Sequence, residues 1–512
     1  MFYFADIWTA FDQTVARVGR DHPALIRGDV TVSFAALRAL ALEAAERLRA
    51  AGGAAGDRCV IWSENSVEMA AAILGAAAAG MVPVLVNAEA PQSHAIHAVT
   101  QVGATLLLTT EDKADVAADC VVLGLGSGLA RGRMARGPAQ TPAPRDAASI
   151  VFTSGSTGLP KGVVQSPANL MWGCHEVGRA VGLRADDRLV VAIPWAFDYG
   201  WGHLLTTFLY GVPQILPERK GGIGLCEAIA RHRPTVLPSV PAVMAELVSG
   251  LTPIRDIDAS SLRLVMNTGS KIPAPQFAQM LEVFPEIAIS LNYGLTETYR
   301  SATLPLALAR SKPAAVGAAL PGAALAVLRA DGTEASAGEK GEVIHRGMGV
   351  FLGYWGDGER TLAVRRPDPL APDHLPRPAA MFTGDIGWMD DEGHLHIEGR
   401  RDRQLKSFGT RVSPDEVEGL ILATGLVDEV AIVGVPHEMV GHQITAVIVP
   451  RGDEKAALRG LKISARETMS NFMRPMVWHV VERLPRNPNG KVDYPKVLAM
   501  ATALAEARGR PG

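Results

Sequence analysis

Apolar positions along the chain alternate between a helical period and a strand period over most of its length. A helical period covers residues 34–51, an apolar strand follows at 58–62, a second helix begins at Val67, and another strand covers 82–86. Helices and strands that alternate in this way are typical of βαβ units around a mainly parallel sheet. The pattern therefore predicts an α/β fold.

Residues 69–86 contain no charged side chain and are long enough to raise the question of a membrane span. The segment is rich in alanine and is interrupted by Gly75, Gly80 and Pro83. Alanine is only weakly hydrophobic, so we expect a buried helix that leads into a buried strand, and no membrane span.

The pattern changes near residue 385. Residues 390–393, Asp-Asp-Glu-Gly, indicate a hairpin, and Ser413, Pro414 and Glu416 form a capping box at the start of a helix. Apolar strands follow at 429–435 and 444–449. We therefore predict an N-terminal domain of residues 1–399 and a small α+β domain of residues 400–512.

Composition narrows the class of function. The 512 residues carry a net charge of −3, which argues against nucleic acid as a partner. The four cysteines lie far apart without Cys-x-x-Cys spacing, as in reduced proteins. We expect a cytoplasmic protein that acts on small molecules.

Residues 149–164 read SIVFTSGSTGLPKGVV and contain a loop dense in glycine and hydroxyl groups. Such loops present N–H and O–H donors to polyphosphates. A Walker A loop ends in Gly-Lys-Ser/Thr, whereas Lys161 here precedes Gly162, and both flanks look like strands. We predict a phosphate-binding loop that joins two strands.

Five motifs occur in the order found in adenylate-forming enzymes, and the chain resembles this family of acyl-CoA synthetases, peptide-synthetase adenylation domains and luciferases. The motifs are TSGSTGLPKG at 153–162, NYGLTET at 292–298, TGD at 383–385, GRRDRQLKSFGTRVSPDEVE at 399–418 and NPNGKVD at 487–493. The resemblance implies an N-terminal domain of two sheet-and-helix subdomains plus a small barrel, and a mobile C-terminal domain. It also implies that a carboxylate attacks ATP to give acyl-AMP and pyrophosphate, and that a second nucleophile then takes the acyl group.

The resemblance assigns the nucleotide site. Glu297, with Thr296 before it, would hold Mg²⁺; Tyr293 would pack on adenine; Asp385 would bind the ribose, with Arg400 nearby. The polyphosphate would lie against Thr153, Ser154, Gly155, Ser156, Thr157, Gly158 and Lys161.

Two residues of the small domain have implied roles in catalysis and motion. Lys491 would bridge the substrate carboxylate and the α-phosphate, which stabilises charge in the transition state. Asp402 occupies the hinge position. Tyr494 departs from the family, which often has a basic residue there.

The acid pocket corresponds to residues 194–203, which hold four aromatic side chains, and to the segment 267–271, Asn-Thr-Gly-Ser-Lys, which departs from the family's double glycine. We predict an apolar, shape-selective acid, although core aromatics would give the same pattern. Asp198 fits either an amino-acid substrate or an acid without an amino group. The predicted pocket residues are Trp195, Phe197, Asp198, Trp201, Gly269 and Gly294.

The acceptor of the acyl group is predicted from Lys406, Ser407 and Gly409, in the loop that the family places at the second step. A glycine leaves room for the thiol arm of CoA, which is the leading acceptor. The alternative is an amino acid, which would form an amide as in coronafacic acid ligases and whose carboxylate Arg300 could bind.

Two other classes of function fit the sequence less well. A phosphotransferase would need a Walker A or kinase loop, and neither is present. A non-catalytic nucleotide-binding module would not need Lys491. His394 and His396 share a strand face, but no third metal ligand is evident near them.

Overall fold

A computed structural model of the chain describes residues 6–113, 120–125, 130–131, 147–153, 160–248, 250–372, 374, 376–403, 405–407, 410–437, 441–469, 473–487 and 490–509.

The helices of these ranges are α1 (Ile7–Val18), α2 (Phe34–Ala50), α3 (Val67–Ala78), α4 (Gln92–Val102), α5 (Pro167–Ala180), α6 (Asp198–Tyr210), α7 (Gly221–His232), α8 (Pro241–Val248), α9 (Ala274–Val283), α10 (Gly358–Val364), α11 (Pro414–Ala423), α12 (Glu454–Thr468) and α13 (Tyr494–Gly509).

The strands are β1 (Pro23–Arg27), β2 (Val30–Ser33), β3 (Arg58–Ser63), β4 (Val82–Asn87), β5 (Leu106–Thr109), β6 (Val121–Gly124), β7 (Ala130–Arg131), β8 (Ser149–Thr153), β9 (Lys161–Gln165), β10 (Leu189–Val190), β11 (Gln214–Ile215), β12 (Val236–Ser239), β13 (Leu264–Asn267), β14 (Ala288–Tyr293), β15 (Ala302–Thr303), β16 (Ala315–Ala319), β17 (Ala323–Leu328), β18 (Gly341–Gly347), β19 (Gly353–Tyr354), β20 (Arg365–Pro367), β21 (Ala379–Met389), β22 (Leu395–Arg400), β23 (Leu405–Ser407), β24 (Thr410–Val412), β25 (Val427–His437), β26 (Gly441–Pro450) and β27 (Val477–Val480).

Two sheets with parallel centres form the N-terminal domain. In the first, β1, β11, β10, β12, β13 and β14 are parallel neighbours. In the second, β8, β4, β3, β5 and β6 are parallel, and β9 and β19 continue the sheet in antiparallel pairing. The α/β class predicted from the apolar periods is therefore confirmed.

Helices pack in layers around these sheets. Side chains of α1, α2, α3, α5 and α6 share one apolar core with residues of both sheets, so these helices lie between them. The other face of the first sheet packs against α7, α8 and α9, and the other face of the second packs against α4. Parallel sheets covered on both faces need apolar strands, which explains the burial of every residue in β3 and β4.

An antiparallel extension continues the first sheet beyond β14 through β15, β16, β22, β21, β18 and β17. Its hairpin between β21 and β22 lies at the predicted turn, where Gly393 adopts a φ of +80°. The resemblance implied a small barrel, and the described strands in this part of the chain form an extension of the first sheet, with β20 paired to β21.

The small domain has its own sheet, in which β24, β23, β26 and β25 are neighbours and β27 pairs with β26. Its α11 starts as predicted, because the Ser413 side chain accepts a hydrogen bond from the Glu416 amide and Pro414 is the first helical residue. The domain limits at residue 399 or 400 remain a prediction.

The predicted buried helix and strand in residues 69–86 are α3 and β4, and Met69, Leu74 and Leu85 are buried. Among the helices of the described ranges, none is both long and apolar enough to cross a membrane. All four cysteines are buried and free of disulfide bonds.

A buried polar network in the small domain links the segment after the hinge to the start of α13. Glu418 accepts bonds from Arg403 Nη2 at 2.8 Å, from Tyr494 Oη at 3.0 Å and from the Ile432 amide at 2.8 Å. The Arg403 guanidinium lies over the Tyr494 ring, 3.6 Å from its centroid, and also pairs with Asp415. Tyr494, the departure noted in the sequence, thus helps to hold Arg403.

We expect Tyr494→Phe to lower the stability of the small domain by about 1.5–3 kcal/mol, because the buried Glu418 loses a donor while the ring over Arg403 remains. Hydrogen exchange by mass spectrometry should show faster exchange in residues 414–437 and no change in α5. Equal exchange of wild type and variant in residues 414–437 would contradict this assignment.

Candidate active site

The predicted phosphate loop joins two antiparallel strands, β8 and β9, in which Thr153 pairs with Lys161. This confirms the prediction that the loop connects strands, unlike a Walker A loop. Thr153 Oγ1 is buried without a hydrogen-bond partner in the described structure. The loop residues Ser154, Gly155, Ser156, Thr157 and Gly158 lie outside the described ranges.

Lys161, Glu297 and Tyr354 form a compact group at the base of this loop. Lys161 Nζ lies 3.1 Å from Glu297 Oε1 and 2.7 Å from Tyr354 Oη, which in turn donates to Glu297 at 2.7 Å. Burial, and next the charge of Glu297, raise the pKa of Tyr354. The Glu297 carboxylate thus lies beside the Lys161 ammonium group and accepts a hydrogen bond from a neutral phenol.

Tyr354 was not predicted from the sequence. It lies in β19, which pairs with β9 so that Tyr354 is opposite Val163. A tyrosine in the stretch Phe351–Trp355 carries no motif by itself, and only the strand pairing brings it to Lys161.

The segment after β14 makes a tight turn that fixes several predicted residues. The Arg300 amide donates to Thr298 O at 2.6 Å, and Tyr299 adopts a φ of +57°, which is unfavourable for a bulky side chain. Gln165 Nε2 holds the Thr296 carbonyl at 2.5 Å. Such strain is found at functional sites, where surrounding contacts maintain it.

Tyr299 points into a space left by two glycines. A Cβ atom at Gly173 would lie 2.1 Å from the Tyr299 ring, and one at Gly202 would lie 2.9 Å from its hydroxyl. Gly294 is close to the same turn, since its Cβ would lie 3.0 Å from Arg300 Cα. Any side chain at Gly173 would therefore displace the ring.

Asp385 accepts hydrogen bonds from two predicted site residues. Tyr293 Oη donates to Asp385 Oδ2 at 2.5 Å, and Arg400 Nη1 donates to Oδ1 at 3.3 Å and to Thr383 O at 2.8 Å. Burial and the neighbouring Asp385 raise the pKa of Tyr293. The tyrosine is therefore neutral, and its contact with adenine remains a prediction.

Lys491 of the small domain comes close to this group. Lys491 is exposed to solvent. Loss of hydration from nearby protein atoms lowers the pKa of its ammonium group, and the negative charge of Asp385 opposes that shift. The amide of Lys491 is fixed by Asn487 Oδ1 at 3.1 Å. The fold thus brings Lys491 within range of the charge of Asp385, although the two residues are distant in sequence.

The predicted acid-pocket residues gather around the start of α6, where Asp198 is the first helical residue and Phe197 precedes it. Trp201 is fully buried. Trp195 packs in the core between the sheets, and its indole N–H donates to Gln214 Oε1 at 3.1 Å. Gly269 follows β13 with a φ of +90°.

This pocket is not simply apolar, because it contains several buried polar atoms without partners. In the described structure these atoms are Asp198 Oδ1, Trp201 Nε1, His203 Nε2, and Nε and Nη1 of Arg300. Burial raises the pKa of Asp198, while Arg300 opposes the shift. Burial and Arg300 lower the pKa of His203 to about 3, so this histidine is neutral. His203 carries no motif and was missed in the sequence.

The residues predicted for the second step are described only in part. Lys406 lies in β23 opposite Arg411, and Asp402 lies in a short 3₁₀ turn of residues 401–403. Gly409 lies outside the described ranges. Their roles remain predictions.

His394 and His396 both approach Asp390, at 3.5 and 3.3 Å, and Lys312 pairs with the same carboxylate at 2.9 Å. Within the described ranges, no group of three potential ligands could hold a metal ion. The cluster therefore has the character of a structural ion-pair network.

Comparison with known proteins agrees with this geometry. The sequence profile of the AMP-binding enzyme family matches residues 11–355, and that of the AMP-binding enzyme C-terminal domain matches residues 416–491. A 2-succinylbenzoate–CoA ligase of Geobacillus kaustophilus is 30% identical over 91% of this chain and 92% of its own length. A feruloyl-CoA synthase of Amycolatopsis is 28% identical over 93% of this chain and 95% of its own.

Solved structures show the same fold. The amide bond synthetase McbA of Marinactinospora thermotolerans superposes with a TM-score of 0.83 at 25% identity, covering 96% of this chain and 99% of its own. The profile match over most of the chain, together with relatives that are acid ligases, establishes the class: this protein belongs to the AMP-binding enzyme family and is an AMP-forming acid ligase.

Proposed function

We propose that this ligase uses Mg²⁺-bound ATP to adenylate a carboxylic acid with an apolar body, and then transfers the acyl group to CoA. The observation that carries the proposal is the position of Lys491, which reaches the electrostatic range of Asp385 from another domain. A cation supplied by a separate domain can enter for one half-reaction and leave for the next.

The first half-reaction brings two anions together, and the site has cations to offset their repulsion. Lys161 lies beside the phosphate loop, and Lys491 is near Asp385. We assign Lys161 to the departing pyrophosphate and Lys491 to the charge that develops between the attacking carboxylate and the α-phosphate.

Glu297 fits the role of a Mg²⁺ ligand. It is a buried carboxylate at the base of the phosphate loop, and Mg²⁺ commonly binds one or two carboxylates together with substrate phosphates. The ion would offset phosphate charge during attack. Asp385 would bind the ribose hydroxyls, with Tyr293 and Arg400 holding its two oxygens in place.

CoA is the leading acceptor because the curated relatives named above form CoA esters. The second candidate acceptor is an amino acid, which would give an amide. Two observations favour it: the similarity to an amide bond synthetase, and the buried Arg300 with unpartnered donors. Both outcomes share the adenylation step.

Lys491→Ala should lower adenylation by about 100- to 1,000-fold, because it removes one charged donor at the transition state. Transfer from synthetic acyl-AMP should be largely unchanged. Pyrophosphate exchange into ATP measures the first step, and product formation from acyl-AMP measures the second. Lys496→Ala is the matched control, since Lys496 pairs with Asp493 on the same domain. An equal loss in both steps would contradict the division of roles.

Glu297→Gln should lower turnover sharply and raise the Mg²⁺ concentration needed for half-maximal rate, because the amide is a poorer ligand than the carboxylate. A Mg²⁺ titration of pyrophosphate exchange measures this. Tyr354→Phe removes the neighbouring hydroxyl but keeps the carboxylate, so its Mg²⁺ requirement should match wild type. A shift of the same size in both variants would argue against Glu297 as the ligand.

The acceptor is decided by incubating the enzyme, ATP and its best acid with CoA or with a set of amino acids, and weighing the products by mass spectrometry. We expect an acyl-CoA. Formation of an N-acyl amino acid without CoA would show that the acceptor is an amine and not CoA.

A further inference from the structure

Arg300 is a buried cation whose binding capacity is not used by the protein. The residue is only 5% exposed, and its Nε and Nη1 atoms have no hydrogen-bond partner in the described structure. Burying a guanidinium without partners is costly, because its hydration is lost and nothing replaces it. An anionic ligand would supply the missing acceptor.

Arg58 shows what a structural arginine looks like in the same fold. It is 3% exposed, and its guanidinium donates to Val102 O at 2.7 Å, Gly103 O at 2.9 Å and Gly56 O at 3.2 Å. Both residues are buried, yet two guanidinium nitrogens of Arg300 have no partner in the described structure. Burial of an arginine in this fold therefore does not by itself leave its donors without partners, as they are in Arg300.

The groups around Arg300 make its surroundings rich in donors. Its guanidinium lies 5.4 Å from the centroid of the Tyr199 ring, whose hydroxyl is occupied by Met266 O at 2.7 Å. Three residues after Asp198 on α6, Trp201 has a fully buried N–H without a partner in the described structure, and His203, which feels the charge of Arg300, is neutral. Trp201 and His203 thus carry no negative charge that would repel an anion.

Asp198 is the acidic residue that faces Arg300 from α6. The two are close enough for their charges to interact, yet among the described residues they form no ion pair within 4.0 Å. Burial raises the pKa of Asp198, which favours the protonated form. A protonated carboxyl is a further donor to an anion between the two side chains.

We propose that Arg300 is the receptor for a second carboxylate of a substrate, distinct from the carboxylate that is adenylated. Trp201 and Asp198 supply additional donors to the same group. The inference rests on the proposed function, since it concerns a substrate of the same site. The carboxylate can come from either of two substrates: the far end of a dicarboxylic acid, or the α-carboxylate of an amino-acid acceptor.

The first test compares pyrophosphate exchange driven by monocarboxylic and dicarboxylic acids of equal chain length. Arg300→Met should lower kcat/KM for the preferred dicarboxylic acid by about 10- to 100-fold and leave monocarboxylic acids unchanged. Arg300→Lys should restore part of the preference, since it retains the charge without the planar fork. An equal loss for both acid types would overturn the proposal for the acid.

The second arm uses the complete reaction with amino acids and with the matching amines that lack a carboxylate. If the acceptor brings the carboxylate, Arg300→Met lowers kcat/KM for the amino acids alone and leaves exchange unchanged. A selective effect in either arm supports the receptor. The proposal is overturned if Arg300→Met is selective in neither arm.

The substitution Asp198→Asn tests whether the pocket binds a carboxylate or an ammonium group of the substrate. Because asparagine keeps an N–H donor, binding of the second carboxylate should stay within about threefold of wild type. Loss of activity comparable to that of Arg300→Met would instead indicate an amino group bound to Asp198, and would overturn the donor role given to that residue.

Thermal unfolding provides a readout that does not need turnover. Arg58→Met should lower Tm more than Arg300→Met, because Arg58 loses three hydrogen bonds to carbonyl groups, whereas Nε and Nη1 of Arg300 have no partner to lose. Dicarboxylates of increasing length should raise the Tm of wild type and not of Arg300→Met. If no acid drives exchange, the proposed function fails, and the Tm measurement still tests the receptor. The proposal is overturned if neither dicarboxylates nor amino acids raise the Tm of wild type above that of Arg300→Met.

Discussion

Parallel pairing of β12, β13 and β14 determines where the groups of the site lie. Adjacent parallel strands end at the same edge of a sheet, and ligands of α/β folds bind beyond these carboxyl ends. Gly269 follows β13, and the turn of residues 294–300 follows β14. The hydrogen bond from Tyr199 Oη to Met266 O attaches the start of α6 to the same edge. The residues predicted for the acid pocket and those predicted for the nucleotide site therefore share one edge, as the joining of the two substrates would require.

Local patterns in the sequence predicted much of the fold, because periodicity and capping act over short distances. The period of α2 and the N-cap of α11 are examples, and both are present in the structure. The loop between β8 and β9 was also predictable, since its flanks have strand character. These features depend on residues within a few positions of each other.

The chemistry of the pocket was less accessible, because it depends on burial and on contacts between distant segments. Tyr354 reaches Lys161 through the pairing of β19 with β9, and no local pattern encodes that pairing. Arg300 follows a recognisable motif, yet an arginine in a sequence is normally exposed. The residue before it, Tyr299, is left-handed but is not a glycine, so the turn that holds Arg300 gives no signal in the sequence. The expectation of an apolar pocket overlooked the polar atoms for the same reason.

The two glycines around Tyr299 also bear on how this pocket can diverge in evolution. Gly173 lies on α5, Gly202 on α6, and the tyrosine on the turn after β14, so one ring depends on three separate segments. A smaller residue at position 299 would open space that a side chain at position 173 could then fill. If Gly173 were replaced first, its new side chain would clash with the Tyr299 ring. The order in which substitutions arise is thus constrained, and lineages that accept new substrates are expected to change position 299 first.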